Sequence, residues 1–464
     1  MSTEAPPDFH SRDGLIEALG ERAFDRPPAI VCNAHITGLA VARGLATQGV
    51  PVIAIDRTGE GVAPYSNTVS VAGRVRYPLN DREGFRADVE AIADSLDSRP
   101  VVFPCMDEWA LGLARTEPAG VSLPFAGFDV VDSVLDKASL YERAKCLDVP
   151  TPETYRLTET AIDDAAEALG FPLIVKPALK RRFEEQFGTN LVRAETRAEL
   201  DETVAAAEDA GIEVLAQEAI PKSKGDLCTV GSYLPPSVDD EDDTSDKSRE
   251  PVTFVGERRA IYPPEFGTTC LVERADDVVR ESLVPRALDV LGDAGYSGIS
   301  EAEFLYDDRR EEYVLLDVNT RPWKWIGLPI AAGANLPAAA YAEATGGEYE
   351  PEPIRDARWV YLRDYAALLA GHEVEDDLHR EDWLSILSGE VDTRTDLVTA
   401  VYSPADPGPA SQLLRTEFGD REYSAPAEGS APPLRRRIET LFRVSNPLPV
   451  CDRYARATTT TSCR

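Results

Sequence analysis

Glu303, Asp317 and Asn319 are spaced so that one β-hairpin brings them onto a single face. Residues 299–306 and 313–319 read as antiparallel strands joined by a charged turn at Asp308, Arg309 and Arg310. Opposing Glu303 to Asp317 also opposes Glu301 to Asn319, Ala302 to Val318 and Phe304 to Leu316, so polar side chains share one face and apolar ones the other. A slip of one residue sets Glu303 against Leu316 or Val318 and destroys the match. Two carboxylates and an amide oxygen are hard ligands of the kind Mg²⁺ takes when nucleotide phosphates and water complete its octahedron. The same pattern also describes a half-buried hairpin with a solvated acidic face.

Lysine usage points to the same part of the chain. Eight lysines stand against 40 arginines, and all eight (Lys137, Lys145, Lys176, Lys180, Lys222, Lys224, Lys247 and Lys324) lie between residues 137 and 324. Lysine is a compact point charge suited to phosphate oxygens. Lys176 ends the apolar run Phe171-Pro172-Leu173-Ile174-Val175-Lys176-Pro177, where a cation serves either a ligand or a snorkelling strand end.

The 82 acids against 48 bases give a net charge of −34, spread over most of the chain. Such a surplus with lysine depleted is expected in a cytoplasm of molar salt, where self-repulsion is screened and an acidic surface keeps the protein soluble. It disfavours duplex nucleic acid, whose binding requires phosphate neutralisation. Seven cysteines, at 32, 105, 146, 228, 270, 451 and 463, form no CxxC pair and read as small hydrophobes in a reducing cytosol. Residues 1–22 contain no apolar signal core, and no run approaches the ~18 apolar residues of a membrane span. The expectation is a cytoplasmic protein with no membrane partner.

With 464 residues, the chain has room for about three domains of roughly 150 residues each. Residues 1–27 read as a flexible N-terminus. Residues 28–135 open with a strand at 29–32, a helix at 39–48 and a strand at 52–56, the start of a doubly wound α/β domain. Its first turn, Asn33-Ala34-His35-Ile36-Thr37-Gly38, has one glycine where a dinucleotide fingerprint needs three, so an NAD site is not provided for despite Asp56. A strand at 101–104 leads into Met106-Asp107-Glu108, which either borders a ligand site at the strand ends or caps the next helix.

Residues 136–350 form a second unit, with helices at 136–146, 161–169, 197–210 and 278–291 and strands at 172–177 and 214–220. The acidic run within 237–250 reads as a disordered loop at a hairpin tip. After it come Arg258 and Arg259, of which one grips a substrate carboxylate or both balance neighbouring acids. The acidic hairpin and a helix at 336–345 follow. Trp323, Lys324 and Trp325 line a pocket or pack against the preceding domain. Residues 351–464 have no assignable role, with helix-like stretches at 365–369 and 434–441 and a disordered tail.

The series Asp136-Lys137, Val149-Pro150-Thr151-Pro152, Phe171-Pro172-Leu173-Ile174-Val175-Lys176-Pro177, Gln217-Glu218-Ala219-Ile220, Glu301-Ala302-Glu303-Phe304 and Asp317-Val318-Asn319-Thr320-Arg321 resembles the ATP-grasp superfamily in order and spacing over residues 28–350. The look is closest to its carboxylate-amine ligases of the D-aspartate-ligase-like branch. The resemblance implies an α/β chain: a Rossmann-like domain, a two-lobed α+β ATP-grasp domain and a small C-terminal region. It implies an ATP-dependent ligase that activates a carboxylate as an acyl phosphate for attack by an amine. An ATP-grasp kinase without ligation and a non-catalytic nucleotide-binding module are the alternatives. The implied partners are ATP, a small carboxylate and an amine, with homo-oligomerisation left open.

The resemblance also assigns roles. Lys176 is the strand lysine on the α and β phosphates, and Lys137 approaches the nucleotide from the linker helix. Gln217, Glu218, Ala219 and Ile220 form the hinge that reads adenine, and Asp226 accepts the ribose hydroxyls. Glu303, Asp317 and Asn319 hold one or two Mg²⁺ ions, with Mn²⁺ able to substitute. Arg321 points at the transferring phosphoryl group. Of the two arginines after the acidic run, and apart from the resemblance, Arg259 is the choice for the substrate carboxylate. Two departures stand out: Asp317 is one methylene shorter than the family's usual glutamate, and the phosphate loop around 179–189 holds one glycine. Lys180, Arg181 or Arg182 would then supply charge where backbone N–H groups usually do.

The composition makes one direct prediction. Thermal melts should move to higher temperature as KCl rises from dilute buffer into the molar range, because added salt screens the acidic surface. A melting temperature that falls or stays level would rule out the halophilic reading.

Overall fold

The structure is a computed structural model describing residues 9–177, 187, 191–221, 226–236, 250–264, 267–372, 374, 376–391 and 396–418. Among these, the strands fall into three sheets. The first is fully parallel: β1 (Phe9–His10), β2 (Ala29–Cys32), β3 (Val52–Asp56), β4 (Val69–Arg74) and β5 (Val101–Pro104), in the order β1-β4-β3-β2-β5. Its central strands are buried along their whole length, as their unbroken apolar runs require when helices cover both faces. Residues 9–20, expected to be flexible, instead complete this sheet. β1 pairs with β4, and the helix Arg12–Gly20, capped by Ser11, buries Leu15 and Leu19 at helical spacing.

The crossover helix Ile36–Ala46 begins three residues before the expected 39. The turn leading into it is anchored by Asp56, whose carboxylate accepts from the backbone N–H groups of Ala34 (3.0 Å) and Arg57 (2.6 Å). Asp56 is therefore a buried structural acid that closes on the β2 turn, consistent with the missing dinucleotide fingerprint.

The second sheet has four antiparallel strands, β6 (Thr154–Arg156), β7 (Leu173–Pro177), β8 (Val192–Ala194) and β9 (Val214–Glu218), in the order β6-β9-β7-β8. The helices Ile162–Leu169 and Arg197–Asp209 cover it through Ala165, Leu200 and Val204 against Leu173, Val175 and Val214. β9 stops at Glu218, short of the expected 220, and Pro221 follows with no N–H to donate to a ladder.

The third sheet has seven strands: β10 (Leu227–Leu234), β11 (Val252–Tyr262), β12 (Thr268–Arg274), β13 (Gly298–Asp307), β14 (Glu312–Asn319), β15 (Arg358–Val360) and β16 (Leu397–Thr399). Their order is β14-β13-β10-β11-β12-β15-β16. β10 and β11 pair antiparallel on either side of the acidic run, whose residues 237–249 lie outside the described residues. The helix Asp277–Asp293 packs on one face against Ala302, Phe304, Leu315 and Val318.

The other face continues into the core of the first sheet through Trp323, Trp325, Ile326 and Leu328. The two indoles meet edge to face at 5.2 Å, and each abuts a glycine. A Cβ at Gly231 would sit 2.2 Å from Trp323, and one at Gly256 2.8 Å from Trp325. These tryptophans are core residues.

Residues beyond 351 add β15 and β16, the helix Leu362–Gly371 over the expected 365–369, and the helix Gly408–Phe418. The stretch at 434–441 and the tail lie outside the described residues. Asp406 fastens this region to the first sheet. Its Oδ2 accepts from Arg43 Nε (3.0 Å), Arg43 Nη2 (2.9 Å) and Ser66 Oγ (2.6 Å), and its Oδ1 from the Asn67 N–H (2.9 Å). No helix among the described residues is long and apolar enough to cross a membrane.

Removing this buried carboxylate strands the donors around it. Asp406→Ala should lower the unfolding free energy by about 3 kcal/mol, read from urea melts at fixed KCl. A loss below about 1 kcal/mol would mean that the strap is incidental.

Candidate active site

The hairpin of β13 and β14 has the expected register over its polar half: Glu301 opposes Asn319, Ala302 opposes Val318 and Glu303 opposes Asp317. The expected pairing of Phe304 with Leu316 does not occur. A bulge intervenes, Phe304 pairs with Leu315, and Leu316 is the extra residue. The reason is parity. In an unbroken strand Leu315 and Asp317 would share a face, whereas the bulge sends Leu315 into the core and keeps Asp317 beside Glu303. The Leu316 carbonyl accepts from the Tyr141 hydroxyl at 2.7 Å.

Two cations meet this acidic face from different directions. Lys137, first residue of the helix Lys137–Cys146, donates from Nζ to Asp317 Oδ1 at 2.7 Å, with both groups buried. Asp136 caps that helix on the Ser139 N–H (2.9 Å) and pairs with Arg156 of β6 (2.6 Å), fixing where the helix begins. Arg258 of β11 reaches across β10. Its Nε donates to Thr229 Oγ1 (3.1 Å), and its Nη2 lies 3.2 Å from Glu301 Oε1 and 3.1 Å from Glu303 Oε1. Burial opposes its charge, but the Glu303 and Glu301 carboxylates outweigh that and hold its pKa above the ordinary value. Asn319 Nδ2 bridges the same two acids, 3.0 Å from Glu301 Oε2 and 3.4 Å from Glu303 Oε1.

Arg259 does not join the cluster. It occupies the irregular position in the pairing of β11 with β12, which turns it toward Glu257 (2.5 Å) and Glu273 (3.4 Å). Arg258, the other member of the pair, faces the acids. Arg321 lies just beyond the hairpin, where its Nε donates to Asp107 Oδ1 (2.7 Å) at the carboxyl end of β5. Burial works against this charge too, and Asp107 more than compensates, raising the pKa. The strand-end acid singled out in the sequence is thus tied to the end of the acidic hairpin, while Glu108 accepts from Tyr77 (2.8 Å). Beside Arg321 a small depression is lined by Phe103, Pro104, Phe125, Ile299 and Thr320 among others. The Thr320 Oγ1 is buried there with no partner.

The expected hinge lies at the junction of the second and third sheets. Gln217 is buried and donates to Tyr141 (3.0 Å) and Thr154 (2.8 Å), so its side chain is structural. The Glu218 carboxylate accepts from the Glu153 N–H (2.9 Å) and pairs with Arg309 (3.2 Å) and Arg310 (2.5 Å) in the β13–β14 turn. Ala219 and Ile220 follow, half-buried. The Asp226 carbonyl accepts from the Tyr306 N–H at 2.9 Å, placing it where β10 begins. Lys176 sits on β7 opposite Leu215, half-buried. Lys180 lies outside the described residues, as do Arg181 and Arg182.

Among the described residues no three His, Cys, Asp or Glu side chains form a metal set by themselves. The oxygen donors of Glu303, Asp317 and Asn319 nevertheless suit Mg²⁺ in a phosphate site, where protein supplies few ligands and the substrate supplies the rest. Lys137 on Asp317 and Arg258 on Glu303 balance these carboxylates. Sequence reasoning paired neither cation with its acid, because β11 and the linker helix are brought to the hairpin only by the sheet order.

No protein-family model matches the sequence. Over 206 residues the chain is 29% identical to a D-alanine–D-alanine ligase of Xylella fastidiosa, covering 43% of this chain and 63% of that relative, so it spans less than two thirds of that protein's length. It resembles the ADP complex of N5-carboxyaminoimidazole synthetase from Staphylococcus aureus with a TM-score of 0.56 at 14% identity, over 75% of this chain and 86% of that one. The biotin carboxylase domain of Hydrogenobacter thermophilus 2-oxoglutarate carboxylase, solved with MgADP and bicarbonate, gives a TM-score of 0.54 at 15% identity over 71% and 72%. The chain shares their fold. It is the mixed α/β fold that the ATP-grasp resemblance implies.

The turn that holds Glu218 has a pH signature. The Arg309 hydrogen bond holds the buried Asp307 carboxyl below its usual range. A depressed carboxylate adds stability that is complete above its unfolded pKa, about 4, and is lost as pH falls through the depressed value. Arg309→Met removes that contribution. The stability gap between wild type and variant should be largest near neutrality and close below about pH 4 in urea melts taken across pH. A gap constant down to about pH 2 would refute the linkage.

Proposed function

We propose that this chain is an ATP- and Mg²⁺-dependent ligase of the ATP-grasp superfamily that joins a carboxylate to an amine. The observation that carries the reading is the face on which Glu303, Asp317 and Asn319 meet Lys137 and Arg258, at the junction of the three sheets. The D-alanine–D-alanine ligase similarity and the shared fold support it. On this reading residues 28–135 form the substrate-side domain, 136–350 the nucleotide-binding domain and 351–464 a C-terminal region that includes the Asp406 strap. The chain falls nearest the D-aspartate-ligase-like branch and works in a salt-rich cytoplasm.

A carboxylate is a poor electrophile. A substrate carboxylate oxygen attacks the γ-phosphorus of ATP, the bond to the bridging oxygen breaks, and ADP leaves. The amine nitrogen then attacks the acyl carbon, the carbon–oxygen bond to phosphate breaks, and the nitrogen gives up a proton as the amide forms. Both steps build negative charge on oxygen, so fixed cations make up most of the catalyst. Glu303, Asp317 and Asn319 would hold Mg²⁺, which supplies charge neutralisation at the β and γ phosphates. Lys176 and Lys137 contact phosphate oxygens, and Lys137 exchanges Asp317 for them. The backbone at Glu218, Ala219 and Ile220 meets adenine, and Asp226 meets the ribose. Arg321, oriented by Asp107, faces the transferring phosphoryl group. Arg258, rather than Arg259, joins the site, as the cation that balances Glu301 and Glu303.

The test is ADP formation in molar KCl against a panel of carboxylates and amines. ADP release that needs both co-substrates supports ligation, release without amine indicates a kinase, and no release with any combination overturns the reading. Glu303→Ala should lower Mg²⁺-dependent turnover by at least about 100-fold while leaving cooperative unfolding intact. Full activity in that variant would remove the metal assignment.

A further inference from the structure

Glu301 has no part in the ligand set just described, yet it is buried on the same face, two residues before Glu303 and directly opposite Asn319. Each of its oxygens is engaged. Oε1 lies 3.2 Å from Arg258 Nη2, and Oε2 accepts from Asn319 Nδ2 at 3.0 Å. We propose that Glu301 is a positioning residue that sets the orientation of the Asn319 amide and divides Arg258 between two carboxylates. The inference rests on the metal-nucleotide reading above.

The argument begins with what an ionised carboxylate can do. It only accepts, so Asn319 turns its NH₂ toward Glu301 at 3.0 Å, with Glu303 the longer of its two contacts at 3.4 Å. The amide is planar, and Oδ1 then lies on the opposite branch, away from Glu301, as an oxygen ligand must. A flipped amide would set oxygen against oxygen at a buried contact. The second effect is electrostatic. Arg258 Nη2 is nearly equidistant from Glu301 and Glu303, at 3.2 and 3.1 Å, so Glu301 draws off part of a cation that would otherwise concentrate on Glu303. Without Glu301, Arg258 competes more strongly for the oxygen that Mg²⁺ needs. Thr229, which accepts from Arg258 Nε at 3.1 Å, keeps the guanidinium in place so that both acids can reach it.

The experiment compares wild type with Glu301→Gln, which is isosteric but uncharged, and Glu301→Asp, which keeps the charge and withdraws it by one methylene. Two readouts are taken as Mg²⁺ is titrated: ADP formation at saturating ATP, and the shift in melting temperature with ADP present. In Glu301→Gln the half-saturating Mg²⁺ should rise roughly 10- to 100-fold in both readouts, the range typical when a group that orients a metal ligand is lost. Excess Mg²⁺ should recover most of the lost turnover, and Glu301→Asp should fall between Gln and wild type.

A merely structural role would lower the melting temperature without Mg²⁺ and leave the half-saturation point where it was. That result, or a turnover defect that no Mg²⁺ concentration relieves, overturns the inference. If Glu301→Gln does not fold, Glu301→Asp decides by the same criteria. A wild-type chain with no Mg²⁺-dependent shift would overturn the metal-nucleotide reading itself, whereas a responsive wild type with an equally responsive Glu301→Gln would sink the positioning role alone.

Discussion

Glu301, Glu303 and Asp317 share one sheet face, two of them buried, and much of the surrounding architecture serves to set cations beside them. Carboxylates gathered away from water repel one another, and fixed cations offset that repulsion. Lys137 arrives from a helix whose start is set by Asp136, and Arg258 arrives from two strands away across Thr229. Neither is held by chain proximity, so the site exists only when the sheet and the linker helix are both in place. The bulge at Leu316 belongs to the same constraint, because it lets Asp317 face this cluster while Leu315 fills the core.

The packing behind the acidic face is equally specific. Trp323 and Trp325 follow the hairpin directly and press onto Gly231 and Gly256, where no side chain fits. The chain between Asn319 and Leu328 thereby passes from the polar face into the core shared with the first sheet, carrying Arg321 to Asp107 on the way. Rigid aromatic packing on one side and a half-buried ion pair on the other fix that arginine's direction. Lys324 leaves the same segment for Thr268 (2.8 Å) and Asp364 (2.7 Å), so the C-terminal helices are held by the stretch that completes the site.

The strands that bury both faces were legible in the sequence, because continuous apolar runs such as Ala29–Cys32, Val52–Asp56 and Val101–Pro104 have one sensible use. The acidic hairpin was legible too, since Glu301, Glu303 and Asn319 mark a period of two. The bulge was not, because Leu315 and Leu316 are both apolar and either can face the core. The choice of Arg258 over Arg259 depends on an irregularity between β11 and β12, which neighbouring residue types do not encode. Residues 9–20 were lost among polar neighbours, although Ser11 with Leu15 and Leu19 is a short capped amphipathic pattern. Asp406 is one acid among many in an acidic chain, and only its partners distinguish it.

Arg43 and Asp406 are separated by 363 positions in the chain. During synthesis the first sheet leaves the ribosome with Arg43, Ser66 and the Asn67 N–H still unsatisfied, and at roughly 5–20 residues per second their common acceptor follows some 20–70 s later. The amino-terminal layer must therefore stand for that interval on its own apolar contacts, before Asp406 arrives to collect these donors.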